Sequence, residues 1–446
     1  KALLILFVCG AGAGTGCSAV LDFHECNVDA DCSGKGASLV CNPSHQCVDT
    51  TPCHVSVEAT APGKPLVIAG LYLLSEESDG PNDHAIRQAV DLAASELNTQ
   101  GVPVRHVACD TGGDVDVATH AFDLAVTQYG AVAVVGPNTS AELIALAPDA
   151  RARGVVVVSP AASSPPIRDL VDDGLIWRTC GSDTLQAEVL STLVPAADSL
   201  DIVWVTMDPY ADNLEKAFVA ASGRNDALGI QFDSGDVAGA VGQMNDPEYA
   251  LLIVDFDAPA LVAALATAGQ ATTQYLMTDS ALTPTLWGAG PYDFTFLSRI
   301  RGTAPALPAF ADPSGPVFAA FEVSYQAAFN QESPADTAFV ANAYDAAYAI
   351  AIGAAAAGAS PTGHAIASNL GRMSDPAGMT VNIGPGDYQA GVNTLVGGGT
   401  INLVGTSGPI DWDGQGDVLT APTEVWQVAD DGTGMPTFKV VSTVTP

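Results

Sequence analysis

Basic residues are scarce in this chain. Fifteen Lys and Arg stand against 50 Asp and Glu, a formal charge of −35. That balance repels phosphate backbones and anionic lipid, which excludes a nucleic-acid-binding role. The acids are scattered and 48% of the residues are hydrophobic, so a disordered acidic tail is excluded as well. Long apolar runs are missing: nothing approaches the ~20 residues that span a bilayer. Ala347–Ala357 comes nearest, and its short, alanine-rich run reads as a core helix. Catalytic signatures are missing too. There is no G-x-S-x-G and no H-E-x-x-H, and the seven histidines are isolated. Asp110-Thr-Gly-Gly113 mimics an aspartic-protease loop but has no second copy. Asp411-Trp-Asp-Gly-Gln-Gly-Asp417 mimics a calcium loop but lacks the EF-hand spacing and its terminal Glu. The glycines of 10–16 have neither a preceding strand nor the Lys-Ser/Thr of a nucleotide loop. No catalytic residue, metal ligand or cofactor is expected.

What is present begins with a leader pattern. Lys1, the apolar run Ala2–Val8 and the small residues up to Gly16 form a secretory signal. Gly14-Thr-Gly-Cys17 resembles a bacterial lipobox, with Gly14 where an apolar residue is usual, so Cys17 is expected to carry lipid. Ordinary cleavage after a small residue is the competing reading. Nine cysteines follow a lopsided pattern, five of them crowded into 26–53. In an exported chain, Cys26, Cys32, Cys41 and Cys47 read as a disulfide unit with three possible connectivities. Zinc, held with His24 and His45, is the rival reading. It is weakened by the lack of a C-x2-C pair. Cys53, Cys109 and Cys180 are left to compete for one bridge, and Cys109–Cys180 is expected from their places near strand ends. Thr51–Lys64, with two prolines and a glycine, reads as a linker.

From Pro65 the pattern alternates between strand and helix. Apolar runs at 66–72, 102–108, 132–135 and 155–158 are strands, and 83–99, 115–129 and 140–153 carry helical spacing. A second series follows with strands at 202–206, 251–254 and 274–277 and helices at 212–221 and 259–268. Longer helical patterns lie at 316–330 and 336–357, and a glycine-rich stretch from Gly384 suggests hairpin strands. Such alternation predicts doubly wound α/β sheets, and the length suits two lobes. Small polar residues follow the strands directly: Asn138-Thr-Ser140, Ala161-Ala-Ser163, Tyr210, Phe256-Asp257 and Asp279. Loops at carboxyl ends of parallel strands form ligand crevices, and a cleft between lobes is a favoured small-molecule site. Free N–H groups and hydroxyls there suit a carboxylate.

In this order, the helix 83–97, Gly136-Pro-Asn-Thr-Ser140, Ser159-Pro-Ala-Ala-Ser163, Trp177-Arg-Thr179 and the 408–417 loop resemble type I periplasmic binding proteins. The resemblance covers 65–440 and points to the leucine/isoleucine/valine-binding branch. It implies two doubly wound parallel-sheet lobes joined by a multi-strand hinge. Lobe I would comprise 65–182 and 304–411, and lobe II 183–303 and 412–446. The signal at 1–16 and the module and linker at 17–64 precede them. It also implies that Ser140, Ala161 and Ser163 hold a ligand carboxylate, that Tyr210 covers the ligand and that Asp279 meets an ammonium. Phe256 and Asp257 belong to a further pocket loop. Thr139, in Thr139-Ser-Ala-Glu142, reads instead as a helix cap. Two departures matter. The usual partner of Cys109 falls on Thr139, and Glu76 and Glu77 at the cleft rim would favour a cationic ligand. The expected function is capture of a small amphipathic solute, an amino acid first, for a membrane ABC permease. A ligand-sensing envelope receptor is the alternative, and an amide hydrolase a more distant one.

Overall fold

The computed structural model describes residues 39–41, 47–49, 52–75, 80–254, 256–269, 272–283, 285–288, 290–308, 314–335 and 337–445. The signal, Cys17, Cys26, Cys32, Glu76 and Glu77 lie outside them. The chain divides into two compact units, residues 1–51 and 52–446. In the first, β1 (Leu39–Cys41) and β2 (Cys47–Asp49) pair antiparallel, with Cys41 in register with Cys47.

The second unit holds two large sheets. The first contains β3 (Cys53–Val57), β4 (Leu66–Tyr72), β5 (Val104–Asp110), β6 (Ala133–Val135), β7 (Val156–Ser159) and β8 (Ile176–Arg178), in the order β3-β5-β4-β6-β7-β8. All neighbours are parallel except β3, which runs antiparallel along β5. Alternation decides which helices these strands meet. Ile68 and Tyr72 join a core with Val90, Leu97, Tyr348 and Ile350 of helices Gly80–Thr99 and Val340–Ala357. Val67, Ala69 and Leu71 face Phe122, Leu143 and Leu146 of helices Val115–Thr127 and Ser140–Arg153. With both faces covered, the central strands β4, β6 and β7 carry no charged residue and are apolar but for Gly70 and Ser159.

The second sheet contains β9 (Leu200–Val205), β10 (Leu228–Phe232), β11 (Tyr249–Ile253), β12 (Gln274–Met277) and β13 (Ile300–Pro305). Beyond Met379–Asn382 (β14) and Ile401–Val404 (β15), a separate parallel pair, β16 (Thr423–Asp430) and β17 (Pro436–Val444) complete it. The order is β10-β9-β11-β12-β13-β16-β17, parallel through β13 and antiparallel beyond. Three chain segments link the sheets: the run from Arg178 to Asp183, the run after Pro305, and 405–422. They touch closely. Gly181 bridges Val418, and a Cβ on Gly181 would lie 2.3 Å from the Ala421 Cβ.

Several expectations are corrected. Residues 53–57 are no linker but an edge strand of the first sheet. Its register sets Cys53 opposite Cys109, and these two form the disulfide, with Cα atoms 3.9 Å apart. The Cys109–Cys180 pairing is therefore wrong. Cys109 lies on β5 and Cys180 follows β8, four strand spacings away. That separation is ~19 Å, far beyond disulfide reach. Cys180 is a buried free thiol whose pKa burial pushes up to about 12. The helix expected from Asp336 starts at Val340, because Phe339 takes a left-handed φ of 66°. The glycine-rich C-terminal stretch contains the helix Tyr388–Val396 as well as the β16–β17 hairpin.

Candidate functional site

A cleft opens where carboxyl ends of strands from both sheets meet, with an empty volume of about 630 Å³ counting its open mouth. One wall comes from the loop after β6. Gly136 sits at φ 99°, and a Cβ there would be 2.6 Å from the Leu71 carbonyl oxygen, so only glycine lets the loop pass β4. Thr139 is the N-cap of helix Ser140–Arg153, its Oγ1 accepting from the Glu142 N–H at 3.3 Å. That leaves Ser140 free of capping. Its Oγ accepts the Ser164 N–H at 3.2 Å and keeps its own proton to donate.

The loop after β7 is held from behind. Ser159 Oγ donates to the Pro137 carbonyl at 2.6 Å and accepts the Ala162 N–H at 3.0 Å. The buried Arg178 guanidinium donates to the Ala162 and Ser164 carbonyls at 3.4 and 3.1 Å and to Asp417 Oδ1 at 2.8 Å. With these carbonyls turned away, Ala161 and Ser163 line the cleft beside Ser140. Of its N–H groups, that of Ala161 makes only a long contact, 3.4 Å, to Ser159 Oγ.

The opposite wall is acidic. Asp279 follows β12, and its Oδ1 accepts from the Tyr210 hydroxyl at 2.7 Å and from Gln186 Nε2 at 2.8 Å. Tyr210 opens the helix Pro209–Ser222, capped by Asp208, whose carboxylate accepts the Tyr210 N–H at 2.9 Å. Asp183 heads the helix Asp183–Thr192 and is 1% exposed. Its N–H reaches the Ser163 carbonyl at 2.9 Å, but neither carboxylate oxygen meets a hydrogen-bond donor in ordinary geometry among the described residues. Burial raises the pKa of Asp183 well above the usual value, and the charge of Asp279 raises it further. Burial also raises Asp279, against the hydrogen bonds from Tyr210 and Gln186 that favour its charged form. Two carboxylates thus lie close together in a buried region, and the Arg178 charge that favours ionised Asp183 is already paired with Asp417, so two negative charges are disfavoured until a further positive group arrives.

The walls touch. Ser164 Oγ donates to the Pro209 carbonyl at 3.0 Å, and Phe256 lies against Gly113, where a Cβ would be 3.4 Å from the ring.

Five sequence-predicted residues line the cleft together: Ser140, Ala161, Ser163, Tyr210 and Asp279. Phe256 and Asp257 do not. Phe256 packs at the lobe contact, and Asp257 precedes the helix Ala258–Ala268 and accepts the Gly235 N–H at 3.0 Å. Sequence reasoning placed Asn138 at a strand end without giving it a role, and passed over Asn82 and Phe339 in this cleft and Asp183 and Gln186 in the pocket adjoining it. Asp183 begins a helix, where an acid reads as a partner of the helix dipole. Its only other signal was its place just after the chain leaves the first sheet. The calcium-like loop has its carboxylates engaged: Arg168 Nη1 lies 2.5 Å from Asp413 and 3.1 Å from Asp417.

A family profile described as periplasmic binding protein matches residues 65–394. The chain belongs to this family. Solved structures of it share the fold. LivJ of Streptococcus pneumoniae, a branched-chain amino acid transporter substrate-binding protein in complex with isoleucine, is 19% identical. The match has a TM-score of 0.64 and covers 86% of this chain and 100% of that one. A solute-binding protein of an ABC transporter from R. palustris, in complex with 4-hydroxybenzoate, is 14% identical, with a TM-score of 0.67 over 85% and 97% of the two chains. Among curated proteins, a chemotactic signal transduction system substrate-binding protein, BasB of Halobacterium salinarum, is 26% identical over 393 residues, 78% of this chain and 84% of that relative. All three are described as substrate- or solute-binding proteins, and the two solved structures hold small molecules. Among the described residues no helix is long and apolar enough to cross a membrane.

Proposed function

We propose that this protein is an extracytoplasmic receptor for a free amino acid, clasped between the two lobes. One observation carries the reading: the buried carboxylate of Asp279, with Asp183 in the pocket adjoining it, shares a cleft with Ser140, Ala161 and Ser163, which present hydroxyl and N–H donors. An α-amino acid has a cation and an anion on one carbon and answers both walls. A benzoate-like acid answers only the donors and would leave the acidic wall uncompensated in a dry cleft. Binding then consists of lobe closure on the zwitterion, with no bond made or broken. In this reading Tyr210 holds Asp279 and covers the ligand, while Phe256 serves the lobe contact.

A thermal-shift panel of the twenty amino acids against benzoate and 4-hydroxybenzoate tests this. A cognate amino acid at 100 times its Kd adds about 2.7 kcal/mol of stability. Stabilisation by aromatic acids alone, with none by any amino acid, would end the amino-acid reading. Delivery to an ABC permease is the partner role supported by the transporter-associated relatives. The similarity to BasB favours a second use, presentation of the ligand to a signalling partner. Co-purification of the ligand-loaded protein with detergent-solubilised membrane proteins separates the two, since one yields a permease and the other a transducer. Anchoring through lipid on Cys17 is part of the same proposal, and the mass of the native N-terminus tests it.

A further inference from the structure

Two oxygens in the cleft are left over once Asp279 and the Ser140, Ala161 and Ser163 donors are assigned to an α-carbon zwitterion. Asn138 Oδ1 and Asn82 Oδ1 are buried, line the same cleft and meet no hydrogen-bond donor among the described residues. They come from separate elements: Asn138 from the loop after β6, Asn82 from the first turn of the helix Gly80–Thr99. Both stand with the first sheet, whereas Asp183 and Asp279 stand with the second.

The orientation of Asn138 is chemically determined. Its Nδ2 donates to Asp83 Oδ2 at 2.8 Å, and the same carboxylate oxygen accepts the Leu73 N–H at 2.6 Å. Turning the carboxamide over would set its oxygen against a carboxylate oxygen. The nitrogen therefore stays on Asp83, and Oδ1 remains an acceptor. Buried polar atoms find partners in the great majority of cases. In an open cleft water can serve these two oxygens. Closure on a ligand expels that water, so the ligand must replace it.

We propose that the side-chain end of the cleft is built for an amino acid bearing N–H donors on its side chain, a carboxamide first, and that it selects against aliphatic side chains of the same shape. This rests on the amino-acid reading above. A primary amide carries two N–H donors, matching two acceptors on separate elements. Leu73, Ile86 and Leu282, which also line the cleft, suit the apolar stem of such a side chain. An aliphatic side chain would strand both oxygens. A site made to hydrogen-bond its ligand rejects an analogue lacking the donor more strongly than an apolar pocket rejects an extra polar group.

The test is calorimetric titration of the full chain with pairs of nearly equal shape: asparagine against leucine, and glutamine against methionine. The expected result is at least ~10-fold tighter binding of the amide member of one pair. In Asn138→Leu the preference should vanish or invert in favour of the aliphatic partner, and Asn82→Leu should reduce it. Tighter binding of leucine and methionine by the unaltered protein would overturn the inference while leaving the amino-acid reading standing. So would an unchanged ratio in folded Asn138→Leu. If no amino acid binds and an aromatic acid does, both readings fall. Should Asn138→Leu not fold, the ranking of the two pairs by the unaltered protein decides the matter.

Discussion

Asp183→Asn is the substitution that most directly probes the acidic wall. Asp183 is buried, its carboxylate meets at most the Ser163 hydroxyl among the described residues, and the charge of Asp279 acts on it. Without ligand, its charge is a liability. Asparagine keeps the shape and cannot ionise, so the ligand-free protein should be more stable than the parent at pH 8, where the buried carboxyl is pressed to lose its proton. A higher melting temperature at that pH would register the gain. With ligand the sign reverses. Removing one partner of a buried charge pair costs about 2–5 kcal/mol, so affinity for an amino acid should fall at least ~30-fold. A third consequence is proton release. Burial and mutual repulsion favour a proton on the Asp183–Asp279 pair, and an arriving ammonium favours the ionised pair. Calorimetric titration near pH 7 in two buffers of different ionisation enthalpy should reveal protons leaving the protein on binding. The release should be lost in Asp183→Asn. A variant that binds as tightly as the parent, melts no higher and shows the same proton balance would refute the assignment of Asp183 to a ligand cation.

Three further expectations concern stability. Burial raises the Glu142 carboxyl from its usual value to about 7, against some help from the Thr111 and Thr139 hydroxyls. A group whose folded pKa is raised contributes stability below the unfolded pKa and loses it as pH rises through the folded one. Glu142→Gln should therefore be near neutral at pH 4 and more stable than the parent by at most roughly 3 kcal/mol at pH 8, read from denaturant unfolding at both pH values. Cys53→Ser opens a disulfide between residues 56 apart in sequence and should cost about 2–4 kcal/mol. A chain beginning at Pro65 should lose at least as much as that variant, since it also lacks the edge strand β3; equal unfolding midpoints for chains starting at Pro52 and Pro65 would contradict this.

The α/β plan was legible in the amino-acid order because both signals behind it are local. A valine run such as Val155–Val158 needs cover on both faces, and a helix such as Ser140–Arg153 announces itself by apolar spacing and a Thr139 cap. Loop positions at strand ends follow from that alternation, so Ser140, Ala161, Ser163, Tyr210 and Asp279 could be named before any coordinates. Pairings between distant segments could not. Cys53 finds Cys109 because an antiparallel edge strand sets the register, and no local pattern records which edge of a sheet a strand will join. The meaning of an acid is equally non-local. At the head of a helix Asp183 looks like an ordinary dipole partner. Only the packing of both lobes strips its solvent and brings the charge of Asp279 close to it. Asn138 follows the same logic: its sequence neighbours suggest a turn, and the bond to Asp83 from another element turns its oxygen into an unmet acceptor. Electrostatic cost and hydrogen-bond satisfaction are sums over neighbours in space, and that is why tertiary structure alone decided them.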